Sequence, residues 1–178
     1  MLRVEEPFNI IVTSPRNREF FAVREFESVL NDLGDSDPKV WKSGISGVIL
    51  SYTSLDPYEV PYRVREMVKS NPWMFRDVKR VIPIEFNVKT DLGEYSRIAS
   101  ELEHRIDETK TYKIEVKRRY TTLDRSEIIE SIASKIDRKV DLKNPDYIIV
   151  VEILGPITGI SFIKPDGILS VDRELLDF

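Results

Sequence analysis

The sequence predicts an α+β protein built from two small sheet-and-helix units, on three observations. Short β-branched and apolar runs recur as strands, among them FNIIVT, VILSY, YKIEVKR and YIIVVEI. Between them, apolar residues fall at helical spacing, and three of these stretches open on an Asp-x-x-Glu pair: Asp56/Glu59, Asp91/Glu94 and Asp124/Glu127. The resulting order is β-α-β-β-α-β followed by α-β-α-β-β. The first half is the order of a ferredoxin-like unit, two helices on one face of an antiparallel sheet.

Taken in order, Phe8–Thr13 is a first strand halted by Ser14–Pro15. A helix is expected from Asn17 to Leu33, because Phe20, Val23, Phe26, Val29, Leu30 and Leu33 recur at its period and Gly34 closes it. Lys39–Lys42 and Val48–Tyr52 then form a hairpin around the glycine-bearing turn Ser43–Gly47. The Asp56 start leads into a helix carrying Val60, Val64, Met67 and Val68, and Asn71–Pro72 ends it. Arg80–Val88 reads as one extended segment, in which Pro83 argues for an edge position or a bulge. A single boundary follows, dividing the chain into residues 1–88 and 89–178.

In the second unit, Asp91 starts a helix with Ile98, Ala99, Leu102 and Ile106 on its apolar side. Tyr112–Arg118 alternates as a half-exposed strand, and Asp124 starts a further helix running through Ile132 to Ile136. Pro145 locks the turn Lys143–Asp146. That turn delivers into two strands, Tyr147–Ile153 and Ile157–Ile163, reversed at Gly155–Pro156 into an antiparallel hairpin. A short strand at Ile168–Val171 is expected to finish this second sheet.

Composition narrows the chemistry. The 178 residues carry 27 Lys+Arg against 31 Asp+Glu, a net charge of −4, yet Lys110–Lys143 holds ten basic and six acidic residues. That segment is a local anion-binding surface in prospect on an acidic chain. Without cysteine there are no disulfides, thiolate nucleophiles or cysteine-bound zinc, and the single histidine, His104, cannot make a histidine metal cluster. His104 sits in a predicted helix flanked by Glu101, Glu103 and Arg105 and reads as a surface residue. No G-x-S-x-G, P-loop or G-x-G-x-x-G motif is present, and the Asp-x-x-Glu pairs are accounted for by helix starts. No catalytic residue, metal or cofactor is assigned. No run approaches the ~20 apolar residues of a membrane helix and the first residues lack a signal-peptide core, so a cytoplasmic protein with no membrane partner is expected.

The candidate site is the basic segment. Lys117, Arg118 and Arg119 fall at a strand end; Arg125 opens a helix; Lys135, Arg138 and Lys139 lie within about one helical turn; Lys143 follows in the turn. Converging cations of this kind neutralise phosphates. On composition alone the same cations are better accounted for as the solvated faces of amphipathic elements. Tyr120 and Tyr147 offer stacking surfaces or packed rings, Asn144 and Ser161 polar contacts or turn and strand positions, and Gly159 a close backbone approach or a bulge. Trp41 and Trp73 read as core or interface anchors.

A resemblance favours the first reading. KVDLKNPDYIIVVEI followed by TGISFIK, with VKRRY and SEIIESIASKIDRKVDLKNPDY before it, resembles the THUMP domain, an RNA-binding module of tRNA-modifying systems. FNIIVTSPRNRE, the segment before SLDP, and RVIPIE resemble the ferredoxin-like domain that precedes THUMP in stand-alone tRNA-binding adaptors for cytidine N4-acetylation. The resemblance implies a non-catalytic chain whose two domains grip the acceptor end of tRNA. Chemistry would then belong to a separate RNA acetyltransferase acting on cytidine, and no DNA partner is expected. It associates Lys117, Arg118, Arg119, Lys143, Asn144, Ser161 and Lys164 with RNA contact. Three other readings stand beside it: an adaptor for another tRNA modification, such as methylation or thiolation, a small metal-dependent or acid-base enzyme, and a protein-interaction domain with no RNA role.

Overall fold

The computed structural model describes residues 1–176, which form two compact units. In the first, β1 (Ile10–Thr13), α1 (Glu19–Leu33), β2 (Lys39–Lys42), β3 (Val48–Tyr52), α2 (Val60–Ser70) and β4 (Arg80–Pro83) follow the β-α-β-β-α-β order. β1 pairs antiparallel with both β3 and β4, and β2 joins β3, giving the ferredoxin-like arrangement β4-β1-β3-β2. Alternation and helical spacing dictate the core. Ile10, Val12, Ile49 and Val81 point from the strands toward Phe26 and Leu30 of α1 and Val60, Val64 and Val68 of α2, all buried.

Local chemistry sets the ends. Asn17 stands at φ 66°, outside the helical region, so α1 begins at Glu19 rather than at Asn17. Gly34 takes φ 113° and donates its N–H to Asn31 O, closing the helix where a side chain would be strained. Asp56 does not cap α2 directly. Its carboxylate accepts from Tyr58 N and its carbonyl from Glu59 N and Val60 N, so a turn precedes the helix.

The second unit contains β5 (Phe86–Lys89), α3 (Leu92–Glu103), β6 (Thr111–Lys117), α4 (Arg125–Ala133), β7 (Lys139–Val140), β8 (Tyr147–Leu154) and β9 (Ile157–Ile163). Its sheet runs β5-β9-β8-β6-β7 and is mixed. β8/β9 and β9/β5 are antiparallel, whereas β6 is parallel to both β8 and β7. Asp91 caps α3 by accepting from Glu94 N at 3.1 Å. Tyr95, Ile98 and Leu102 of α3 and Ile128 and Ile132 of α4 pack on one face of the sheet, against Val116, Ile149, Val151 and Ile160.

Three expectations are corrected. Arg80–Val88 is two strands in two sheets: Ile84 N donates to Asn9 O, while the next amide, Glu85 N, donates to Ile160 O. The units therefore separate between Ile84 and Glu85, not after residue 88. The chain also returns. From Asp166 it rejoins the first unit, where β10 (Leu169–Ser170) pairs with β4 and leads into α5 (Val171–Leu176). The strand expected to finish the second sheet instead extends the first. A two-residue strand carries no pattern that names its sheet; side-chain contacts decide. Arg65 Nε donates to Glu174 at 2.9 Å and its Nη2 to Asp166 O at 2.8 Å, and Tyr62 Oη donates to Asp166 at 2.6 Å.

Asp35, just past α1, ties the first unit together. It is buried and accepts from Thr53 Oγ1 at 2.6 Å, Asp37 N at 3.0 Å and Ser54 N at 3.1 Å. Burial pushes its carboxyl up, but these hydrogen bonds together outweigh it and hold the group below the ordinary aspartate range. A lowered pKa contributes stability above the ordinary value near ~3.9 and loses it as pH falls through the folded value. Asp35→Asn should lower unfolding stability at neutral pH by about 1–3 kcal/mol. Urea titrations at stepped pH should show that deficit shrinking only below about pH 4.

Candidate RNA-binding surface

Because β6 and β8 are parallel, the chain between them must travel back along the sheet, and α4 makes that crossover. β6 spans seven residues, roughly 20 Å. The basic segment is thereby split between the two ends of the sheet. Lys117, Arg118, Arg119 and Arg125 lie at the carboxy-terminal end of β6, where Arg125 Nη1 donates to Val116 O at 2.7 Å. Lys135, Arg138, Lys139, Lys143, Asn144 and Lys164 lie at the opposite end, since Thr111 registers with Lys139 and Ile148 with Ile163. Of the cations expected to converge, those that do so fall into two groups, one at each end of the sheet. Helix α4 also ends at Ala133, so Lys135, Arg138 and Lys139 follow it in a turn and β7 instead of sharing a helical face.

Besides Arg125, two of the candidate arginines hold structure. Arg119 Nη1 pairs with Glu152 Oε2 at 2.8 Å, with side chains only 10% and 4% exposed, and its carbonyl accepts from Gly155 N. Arg138 donates to Ile106 O at 2.7 Å and more loosely to Glu103 O, binding carbonyls at and just past the end of α3, and to the neighbouring Asp137 O at 2.7 Å. Arg118 remains exposed while donating to Leu123 O at 3.1 Å. Lys117, Lys135, Lys139, Lys143, Asn144 and Lys164 are exposed.

Ser161 and Gly159 do not belong to the exposed set. Both are buried in β9, which is flanked by β5 and β8 on its two sides; Ser161 opposes Val150, and its hydroxyl has no partner among the described residues. Gly159 keeps regular register with Glu152 and Asn87, so it is neither a bulge nor an open backbone. Tyr147 is a packed ring, stacked on Phe162 at 4.7 Å, whereas Tyr120 is 69% exposed at φ 53°. His104 is exposed at the end of α3.

Two carboxylates at the Lys139–Lys143 end are occupied internally. Asp141 accepts the N–H groups of Lys143 and Asn144, and Asp146 accepts the N–H and the hydroxyl of Thr111. The Thr111 amide leads in holding Asp146 below its ordinary range, and the Thr109 hydroxyl does so for Asp107; nearby Lys110 lowers both further. Lys110 is thus a further cation of this end, outside the set the sequence singles out. Its position one residue before β6 shows its relevance only once Thr111 is seen beside Asp146. Leu142, 72% exposed, adds an apolar surface among these lysines. Among the described residues, no three acidic or histidine side chains gather to hold a metal, and no helix is long and apolar enough to cross a membrane.

This geometry coincides with a family signal: a THUMP domain model matches residues 96–162. The chain contains a THUMP domain. The match lies inside the second unit and covers α3 from Ser96 to Phe162 of β9. Relatives include THUMP domain-containing protein 1 of Mus musculus, 27% identical over 134 residues, covering 69% of this chain and 38% of that protein. A probable tRNA sulfurtransferase of Malacoplasma penetrans is 30% identical over 169 residues, covering 92% of this chain and 40% of its own length. The chain thus spans about two fifths of these curated relatives. Among solved structures, PH1313 of Pyrococcus horikoshii shares the fold at a TM-score of 0.62 and 18% identity, over 89% of this chain and 55% of its own. The THUMP domain follows the ferredoxin-like unit and is bracketed by it, because the chain returns after β9.

The two arginines that follow the end of β6 in sequence should behave differently. Arg119→Ala leaves Glu152 buried without a partner and should cost about 3–5 kcal/mol of unfolding free energy. Arg118→Ala should cost less than about 1 kcal/mol. Urea denaturation of both variants at neutral pH measures the contrast.

Proposed function

We propose that this chain is a non-catalytic tRNA-binding adaptor that presents tRNA to a separate RNA acetyltransferase acting on cytidine. The observation that carries the tRNA half is the THUMP match placed on a unit whose exposed cations stand at both ends of one sheet. Lys110, Lys139, Lys143 and Lys164 at one end, and Lys117 and Arg118 at the other, have side chains exposed to reach phosphates. Cations spaced by the length of a sheet read the backbone and shape of a folded RNA, not its base sequence. The acetylation half rests on the resemblance of the whole chain to the stand-alone acetylation adaptors. The adaptor role rests on the same resemblance.

One relative supports a second reading. The probable tRNA sulfurtransferase aligns across 92% of this chain, so the same two units would serve a thiolation system equally well. Comparing tRNA from cells with and without the chain separates the two. Loss of N4-acetylcytidine supports the first reading, and loss of a thiolated nucleoside supports the second.

Binding of labelled tRNA should weaken linearly in log–log form with salt, as counterions are released. Lys139→Glu with Lys143→Glu should lower affinity and reduce the salt slope by about one for each phosphate no longer neutralised. A filter-binding titration at several salt concentrations checks both. Unchanged affinity in that variant and in Lys117→Glu/Arg118→Glu would remove the THUMP unit from the binding surface.

A further inference from the structure

Helix α1 of the ferredoxin-like unit carries a feature the THUMP unit does not explain. Phe20 and Phe21 are 56% and 48% exposed on a helix whose other aromatic, Phe26, is fully buried. Their rings meet edge to face at 5.6 Å. The Arg18 guanidinium lies 4.1 Å over Phe21 and that of Arg24 5.9 Å over Phe20. The segment after α2 is fastened to the same helix: Asp77 accepts from Arg18 at 2.8 Å, and Glu25 accepts the N–H groups of Arg76, Asp77 and Val78. Three residues before Arg76, Trp73 is 70% exposed in a short 3-10 turn.

Charge names the occupant. Beside these rings two carboxylates are occupied, Asp77 by Arg18 and Glu25 by three backbone amides. Arg16, Arg24 and Arg76 are exposed, and among the described residues none has a carboxylate partner. Open aromatic rings interleaved with unpaired guanidinium groups suit a ligand with flat π-faces joined by phosphates. Paired bases expose no such faces. We propose that this face of α1, with Trp73, is a stacking platform for unpaired RNA nucleotides, a second contact distinct from the THUMP cations. The proposal rests on the tRNA-binding reading above and specifies the RNA conformation this unit takes.

Trp73 supplies the readout, because the second tryptophan, Trp41, is 7% exposed and bonded through its ring N–H to Arg3 O. Titrating the full chain with a short single-stranded RNA should quench Trp73 emission, and Trp73→Phe should abolish the quench while leaving Trp41 emission unchanged. Phe20→Ala/Phe21→Ala should weaken single-strand binding at least about tenfold and leave binding of a blunt duplex unchanged. Phe21→Tyr, which keeps a ring, should bind as wild type. Both variants should keep the wild-type circular dichroism and thermal midpoint, since the rings are outside the core. Single-strand affinity unchanged in the double alanine variant would overturn the platform and leave this face to a protein partner. If that variant binds normally while Lys139→Glu/Lys143→Glu binds tRNA weakly, the platform alone falls. If wild type binds neither RNA, the tRNA reading falls with it.

Discussion

β6 and β8 lie side by side and run in the same direction, and that pairing constrains nearly everything else in the THUMP unit. A parallel pair cannot be closed by a turn. The chain must leave β6 at one end, cross the sheet as α4 and re-enter at the other, and so it buries Ile128 and Ile132 on the helix side of the sheet. The same crossover carries a basic stretch of sequence from one end of the sheet to the other. What is a charge cluster along the chain becomes two separate charged ends in space.

Arginine and lysine divide the work at those ends. Arg119, Arg125 and Arg138 direct their donors to Glu152 and to backbone carbonyls, where a planar guanidinium makes several oriented bonds at once. Lys117, Lys139, Lys143 and Lys164 stay at the surface, as flexible, strongly hydrated ammonium groups do. The fixed arginines set the geometry of the turns from which the lysines project. Acidic residues cooperate: Asp141 and Asp146 accept backbone N–H groups in the turns between strands, which occupies their oxygens and leaves neighbouring lysines exposed. An acidic protein can therefore present cationic ends.

The ferredoxin-like unit divides its residues in a similar way. Its last strand, β10, arrives after the whole THUMP unit has been built, and Arg65 grips that returning segment through Glu174 and Asp166. A closed core under α1 and α2 leaves Phe20, Phe21 and Trp73 outside it, so these rings have no packing role to explain them.

The sequence by itself determined the elements. Periodic apolar spacing, capping pairs and turn residues such as Asp91, Gly34 and Pro145 act within a few residues of themselves, and the α+β order followed from them. Wording shared along Val140–Lys164 also made the THUMP domain legible. Tertiary structure alone decided which sheet received β5 and β10, and whether a given cation faced water or a carbonyl. Those outcomes depend on partners far away in the chain: Glu152 is 33 residues from Arg119, and Arg65 is 109 from Glu174. Ser161 and Gly159 looked available because small residues in a strand carry no sign of which neighbours will flank them. Pairing with β8 and β5 put both inside, and only long-range register fixes such pairing.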